Sequence, residues 1–334
     1  MTSARNLALC SLSVFSLLGA CRPVEDEVDE YRNAIPRNET VTMQVPAAQG
    51  AGQQLVVESQ SQALRGGVAD FYLVTRRVST VVNGAGALVL GLVKTVVSYP
   101  PTSITADTAV WGPFPGGALD PLAYKVTVKR SGDHKYDYAF EGRAKNGPDT
   151  AAFVAFLTGT HTPALDGSGH AIEGFGTGSF TLDWDARATL PAPGDEVGKA
   201  HYDYARPSAT AQVSVDAKFI QVKDDEHPGM KVDVDYLYRS TPGTGGSMEF
   251  VHSLPASMAA AGARWAVKSR WTAFGAGRSD IKASGGTLPG EVKASECWDT
   301  SFASVYLVAS WVPGAGYGTE ATDCAFTPAD YSAL

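Results

Sequence analysis

The chain has 334 residues, of which 44% are hydrophobic and 10% aromatic, and this composition excludes a protein that is disordered throughout. Its 35 acidic and 27 basic side chains give a formal net charge of -8, and no cluster of lysine and arginine is present, which argues against a nucleic-acid-binding surface. The 35 glycines and 19 prolines follow no collagen-like period and predict a globular chain with many turns.

The first twenty residues have the features of an export signal. A positively charged residue precedes an uncharged apolar segment that is too short to span a bilayer. This segment ends in Leu18-Gly19-Ala20-Cys21, which resembles the lipobox of bacterial lipoproteins. The resemblance implies that residues 1–20 are a signal peptide and that Cys21 carries acyl chains such as palmitate. The alternative is an ordinary secretory signal followed by a chance cysteine.

Acyl chains at Cys21 would make the membrane a partner of the protein. Each buried methylene contributes about 0.8 kcal/mol, so two or three chains hold a protein stably on a bilayer. Arg22 stands where an aspartate would resemble an inner-membrane retention signal. We therefore expect a lipid anchor in the cell envelope, in the outer membrane of a Gram-negative bacterium.

The cysteines predict one disulfide bond. Cys10 would leave with the signal peptide and Cys21 would be acylated, which leaves Cys297 and Cys324. Because exported proteins are oxidised, these two are expected to pair, closing a loop of about 28 residues and stabilising the fold by roughly 3–4 kcal/mol. A redox-active or metal-binding pair is the alternative, which the absence of a Cys-x-x-Cys spacing disfavours.

Residues 21–60 are predicted to form a flexible tether, because acidic residues crowd between positions 25 and 30 and polar, Gln-rich sequence follows. Removal of the signal peptide would delete one arginine and change the formal net charge from -8 to -9. Such an acidic chain is not attracted to anionic lipid, so anchoring would depend on the acyl chains.

Residues 61–98 are predicted to form one long N-terminal hydrophobic helix. Apolar residues recur at steps of three and four, and Pro100 follows the end of the pattern. A hairpin at Asn83-Gly84 is the alternative. The charge-free stretch 78–93 is too short for a membrane span, which favours a buried amphipathic helix. The predicted buried stripe is Phe71, Val74, Val78, Val81, Ala85, Leu88, Leu92 and Val96, widened by Val82, Val89, Val93 and Val97.

From about residue 121 the apolar period changes to two, which is the pattern of antiparallel strands with one wet and one buried face. About ten strands after one helix predict a single mainly β (α+β) domain over 61–334. We expect a large curved antiparallel sheet or barrel packed around the helix. An outer-membrane barrel is the alternative, which the lipobox and the non-aromatic terminal Leu334 disfavour.

Motifs that carry chemistry are scarce. The histidines lack metal-ligand spacing, and no nucleophile elbow, phosphate-binding loop or dinucleotide fingerprint occurs, so neither a metal nor a cofactor is predicted. Asp183 and Asp185 flank Trp184 and are weak candidates for an acid/base pair or a calcium site. The alternative is a strand on which both acids point to water while Trp184 packs inward.

Segments 110–113, 178–185 and 296–299, together with the lipobox, resemble uncharacterised myxobacterial lipoproteins over most of residues 65–325. This resemblance implies an envelope location and a single domain, and it brings no activity. We therefore predict a lipid-anchored, non-enzymatic envelope protein that binds a lipophilic ligand or an envelope partner. A carboxylate-based hydrolase of envelope polymers and a purely structural or interaction lipoprotein are the alternatives.

Overall fold

The structure is a computed structural model, and it contains one antiparallel sheet of fourteen strands whose order in the sheet equals their order in the sequence. The coarse prediction, a mainly β fold with one long apolar helix, is confirmed. The described residues are 24–47, 65–117, 120–148, 150–224, 228–253 and 263–334. The strands are β1 (Ser103–Thr105), β2 (Thr108–Pro115), β3 (Leu122–Gly132), β4 (Lys135–Ala144), β5 (Val154–Leu165), β6 (Ala171–Asp183), β7 (Lys199–Arg206), β8 (Val213–Lys223), β9 (Lys231–Thr241), β10 (Gly245–Ser253), β11 (Ala263–Thr272), β12 (Gly277–Gly285), β13 (Val292–Trp298) and β14 (Ser304–Ala309). The helices are α1 (Val24–Asn33), α2 (Asn38–Val41), α3 (Asp70–Val97), α4 (Trp184–Arg187) and α5 (Glu320–Asp323).

The connections between strands alternate between two ends of the sheet, because each strand pairs antiparallel with the next. The turns after the odd-numbered strands all lie at one end, and α1 lies at the same end. There the Tyr31 hydroxyl donates to the carbonyl of Ala106 in the β1–β2 turn (3.0 Å), and Glu30 pairs with Arg130 near the end of β3 (2.7 Å). We call this the α1 end, and the other the opposite end.

The sheet curves around α3. Near the start of the helix, the N–H groups of Asp70 and Phe71 donate to Glu296 on β13, and just after its end the Tyr99 carbonyl accepts a hydrogen bond from Trp111 on β2 (2.9 Å). In a flat sheet, β2 and β13 would lie about 53 Å apart at about 4.8 Å per strand. A helix of 28 residues spans only about 42 Å. The strands must therefore bend towards one another, with α3 on the concave side.

The sheet is not closed by strand pairing. β1 and β14 are its two edges, and within the described parts of the chain no ladder joins them. The chain just before α3 covers the free edge of β14, where Gly66 donates to the Ser304 carbonyl (2.8 Å) and Ala69 donates to the Phe302 carbonyl (3.0 Å). One exposed hydrogen-bonding edge is therefore occupied by the chain itself.

α3 differs from the predicted helix in its bounds and in the face that it buries. It begins at Asp70 rather than at residue 61, and two short helices precede it, so it is not N-terminal. Val81, Leu88 and Leu92, which the apolar period assigns to the core, are exposed. The buried face includes Val82, Val93 and Val97 of the predicted widened stripe, and it also contains small and hydroxyl-bearing residues, among which Thr75 pairs with Ser269 of β11 (2.6 Å). The buried residues of α3 are Tyr72, Thr75, Ser79, Val82, Gly86, Leu90, Val93 and Val97.

Residues 24–47 differ from the predicted tether, because they fold into the concave side of the sheet. The side chains of Tyr31, Ile35 and Met43 are buried in the main hydrophobic core. Asn83 of α3 accepts a hydrogen bond from the Met43 N–H (2.8 Å) and donates one to the Met43 carbonyl (2.9 Å). This segment is therefore part of the domain interior.

The acidic run that suggests a tether is compatible with a folded α1. Among the described side chains of this helix, Val28 and Tyr31 are buried, while Asp29 is exposed and pairs with Arg32 (3.0 Å). The remainder of the predicted tether, residues 21–23 and 48–60, lies outside the described residues.

Two strands, β1 and β2, precede residue 121, where the strands are predicted to begin. β5 is also a strand, although its sequence does not alternate. A register shift interrupts the pairing of β2 with β3, and another lies between Phe140 and Glu141 where β4 meets β5. At such bulges the period of two is broken, so that the neighbouring Phe156 and Leu157 of β5 are both buried. The irregular pairing explains why these strands lack a clear sequence signal.

Candidate functional site

Two cavities among the described residues are the best candidates for a lipophilic ligand, and neither encloses a volume of the size that such a ligand needs. The more enclosed of the two best-defined ones, lined by Ile35, His161 and Gly174 among others, has about 10 Å³, which suits a single water. The larger, about 280 Å³, is an open depression beside Lys129 and Asp137 on the outer surface of β3–β5. Ligand pockets commonly measure about 300–1,000 Å³ and enclose their ligands, and neither cavity does both. The binding of a lipophilic ligand therefore stays a prediction.

Asp183 and Asp185 both stabilise local structure. Asp183 ends β6 and accepts a hydrogen bond from the Ala186 N–H at the start of α4 (2.8 Å), and it pairs with Lys199 (2.7 Å). Burial would raise its pKa, but the hydrogen bonds from Lys199 and Ala186 outweigh burial and lower the pKa. Asp185 accepts from the Gly198 N–H (2.9 Å). The two carboxylates therefore hold the β6–β7 connection.

The predicted pairing of Cys297 with Cys324 is confirmed as a disulfide bond. It joins β13 to the residue that follows α5, so the last part of the chain is covalently held to the sheet. The predicted acylation site Cys21 and the lipobox residues Leu18, Gly19 and Ala20 lie outside the described residues.

A buried ionic network lies on the outer face of β11–β13. Asp280 is fully buried, and four groups donate hydrogen bonds to its carboxylate. The guanidinium of Arg278 (2.6 Å) and the Ser295 hydroxyl (2.6 Å) bind one oxygen; Arg270 (2.9 Å) and the Asp330 N–H (3.0 Å) bind the other. Both oxygens of the Asp280 carboxylate are hydrogen-bonded, and of the arginine nitrogens the Nε of Arg270 is buried with no hydrogen-bond partner among the described residues, so most of the cost of burying these charges is offset.

The network holds the C-terminal segment, residues 324–334, across the sheet. Arg278 also donates to the Phe326 carbonyl (3.0 Å), and the Ser332 hydroxyl donates to Glu249 on β10 (2.8 Å). The segment therefore crosses from β13 to β10 on the face opposite α3. Together with the disulfide at the start of the segment, this network fastens residues 324–334 to the sheet. Its charged side chains are therefore engaged in structural contacts.

Glu296 is the buried acid whose surroundings most resemble those of a functional group. Sequence reasoning did not identify it. Its side chain is fully buried and accepts hydrogen bonds from the N–H of Phe71 (2.8 Å) and the hydroxyl of Ser304 (2.7 Å). Burial raises the pKa of Glu296 to about 7, and the hydrogen bonds from Ser304 and Phe71 offset part of that rise. The carboxylate holds the N-terminus of α3, where the helix dipole favours negative charge.

His161 is a second buried titratable group. Burial lowers the pKa of His161 to about 4, and its Nδ1 lies 2.9 Å from the hydroxyl of Tyr204. A Cβ at Gly176 would meet the imidazole ring, so this glycine leaves the space that the ring needs. The neutral imidazole, hydrogen-bonded to a buried tyrosine, therefore contributes to the packing of the core. Within the described chain, no group of three or more His, Cys, Asp or Glu side chains is arranged to hold a metal ion.

The outer face of α3 is an exposed apolar surface. Leu88 is 70% exposed, Val81 62% and Leu92 46%. Cβ atoms added at Gly84 and Gly91 would meet open space, so nothing else in the described chain covers the helix there. Among the described helices, α3 is long and apolar enough to cross a membrane by length and composition, but here its other face packs on the sheet.

A matched pair of substitutions tests which face of α3 is buried. Leu88→Ala should change the free energy of unfolding by less than about 0.5 kcal/mol, because the side chain is already in water. Leu90→Ala, two residues along the same helix and 3% exposed, should cost at least about 2 kcal/mol through the cavity it leaves. Urea denaturation measures both values, and equal losses would contradict the observed orientation of α3.

The comparisons with known proteins add no name for this arrangement. The chain matches no protein-family model, no curated protein and no solved structure. The account of its function therefore depends on the geometry above.

Proposed function

We propose that the protein is a lipid-anchored, non-enzymatic component of the cell envelope, held in the outer membrane by acyl chains on Cys21. The observation that carries this proposal is the position at which the folded domain begins. α1 begins at Val24 and packs into the domain through Val28 and Tyr31, so the signal-like segment that ends at Cys21 stands a few residues before a folded part of the chain. An anchor at this position leaves the domain whole.

The absence of an enzymatic activity is part of the proposal. The best candidate acids have structural partners: Asp183 with Lys199, Asp280 with two arginines, and Glu296 with the start of α3. A hydrolase of envelope polymers needs two carboxyl groups facing a substrate cleft. The arrangement favours a structural or interaction lipoprotein over a hydrolase and over a carrier of lipophilic ligands.

We further propose that the fold functions as a closed barrel in which α3 fills the gap between β1 and β14. The helix begins beside Glu296 on β13, and the carbonyl of Val97 at its end accepts a hydrogen bond from Arg32 of α1 (2.9 Å). Trp111 of β2 in turn donates to the Tyr99 carbonyl just after the helix (2.9 Å). Contacts at both ends of α3 thus connect β13 with β2, the strands next to the two edges of the sheet.

Cell fractionation tests the anchor. Cys21→Ala should move the protein from the membrane fraction to the soluble periplasmic fraction, because no thiol remains to be acylated. Cys10→Ala is the matched control, since Cys10 lies within the signal-like segment, and it should leave the protein in the outer-membrane band of a density gradient. A Cys21→Ala protein that still sediments with membranes would contradict the proposal.

A further inference from the structure

We propose that the α1 end of the sheet rests on the bilayer that holds Cys21, with Phe274, Leu165 and Ile172 inserted at the level of the lipid headgroups. This inference deepens the proposed function and rests on it, because acylation of Cys21 is what brings the membrane to this end of the domain. It specifies the face of the protein that contacts lipid.

The length of chain between the anchor and the fold limits how far the domain can move away. Val24 follows Cys21 by three residues. Three residues span at most about 11 Å in any conformation. α1 is fixed to the α1 end through Tyr31 and Glu30, which contact the β1–β2 turn and the end of β3. The membrane surface must therefore lie close to α1, whereas a tether of forty residues would leave the orientation free.

Exposed apolar side chains lie at the same end. Phe274 is 84% exposed in the turn between β11 and β12. Leu165 and Ile172 are 38% and 39% exposed and flank the turn between β5 and β6. Ile172 lines the same small cavity as Asn33, the last residue of α1. The β5–β6 turn is therefore next to α1, and its apolar side chains lie within reach of the same bilayer.

The charges of the turns agree with this orientation. At the α1 end, the turns 207–212, 242–244 and 273–276 contain no charged residue, and the other four contain one aspartate each. At the opposite end, the connections that flank β7 and β8 contain Asp185, Asp195, Glu196 and Asp224 against Arg187, whereas the β10–β11 connection, residues 254–262, contains no charged residue. The turn of Phe274 is uncharged and the turn between Leu165 and Ile172 contains one aspartate, a composition that is compatible with the interface of a bilayer.

Contact through apolar side chains has a further consequence. α1 is itself acidic, so anionic lipid would not strengthen the contact. We therefore expect the same docking on vesicles of zwitterionic phosphatidylcholine, with little dependence on salt.

Depth-sensitive fluorescence tests the proposal on the full acylated chain. In that protein Cys297 and Cys324 are oxidised and Cys21 is acylated, so a new cysteine is the reactive thiol for an environment-sensitive dye. The variants are Phe274→Cys, the opposite-end control Met230→Cys, and Leu88→Cys on the outer face of α3. The 230 and 88 side chains are 57% and 70% exposed, so labelling should leave the fold intact.

After reconstitution into phosphatidylcholine vesicles, the dye at 274 should shift to shorter wavelength and lose intensity when the lipids carry brominated acyl chains. The dye at 230 should show neither change. Equal quenching at 274 and 230, or quenching at 88 but not at 274, would overturn the proposed orientation while leaving the anchor intact. Mass spectrometry of the same sample separates the two proposals, since an unmodified Cys21 would contradict the anchor and with it the basis for this orientation.

Discussion

Replacing Asp280 with alanine should lower the free energy of unfolding by about 3–5 kcal/mol, because it removes the buried carboxylate that two arginines share. Without it, the ion pair left to Arg278 is with Glu320 (2.6 Å), and the one left to Arg270 is a longer contact with Asp330 (3.8 Å). Arg278 is 1% exposed and lies 2.6 Å from the Asp280 carboxylate, and Arg270 binds the same carboxylate at 2.9 Å. The substitution also removes the acceptor for the Asp330 N–H, so the C-terminal segment would loosen. Urea denaturation at pH 7 measures the loss.

The matched control for Asp280 is an ion pair on the same sheet that water can reach. Asp216→Ala removes the carboxylate that pairs with Arg239, and both side chains are more than a third exposed. Such exposed pairs contribute about 1 kcal/mol or less, so this variant should remain close to the wild type. Similar losses of unfolding free energy for the two variants would show that water reaches the network around Asp280 in solution.

Glu296→Gln should remove a pH dependence of stability that the wild-type protein shows between about pH 4.5 and 7. Burial raises the pKa of Glu296 from 4.5 to about 7, so the folded protein holds this proton more tightly than the unfolded chain does. The resulting stabilisation is fully present below pH 4.5 and is lost as the pH rises through 7. The pKa difference corresponds to about 3 kcal/mol.

Glu291→Gln is the control for Glu296, because Glu291 is exposed near the start of the same strand and Lys293 lowers its pKa. Urea denaturation of each protein at pH 5 and pH 8 gives the two slopes. We expect Glu291→Gln to keep the wild-type decline and Glu296→Gln to flatten it. A wild-type slope in the Glu296→Gln protein would show that the folded state leaves this carboxylate hydrated.

The sequence predicts whether most elements are helices or strands, because the spacing of apolar residues depends only on the local geometry of each element. Steps of three and four identify α3, and alternation identifies most strands after residue 121. The orientation of α3 does not follow from its own sequence. Gly86 is buried because the Phe180 ring lies near it, and Thr75 because its hydroxyl pairs with Ser269 (2.6 Å). These partners are about a hundred or more residues away.

The candidate sites were predicted unevenly for the same reason. Counting cysteines identifies the Cys297–Cys324 bond, since two thiols have one pairing. Nothing near Glu296 in the sequence indicates that its carboxylate meets the first N–H groups of a helix 225 residues earlier. Likewise, the acidic composition before residue 31 indicates a solvated linker, and only the partners of Glu30 and Tyr31 on distant strands show that the segment is folded.

The position of residues 24–47 inside the sheet bears on the order in which the protein folds. Gln44 accepts a hydrogen bond from Tyr238, which lies 194 residues later in the chain. Contacts between such distant residues form slowly, and until they form an unfilled sheet exposes its apolar face. The enclosure of residues 24–47 thus depends on strands that lie far later in the chain, such as β9. With the anchor proposed at Cys21, the sheet would be completed around a segment that lies next to the point of membrane attachment.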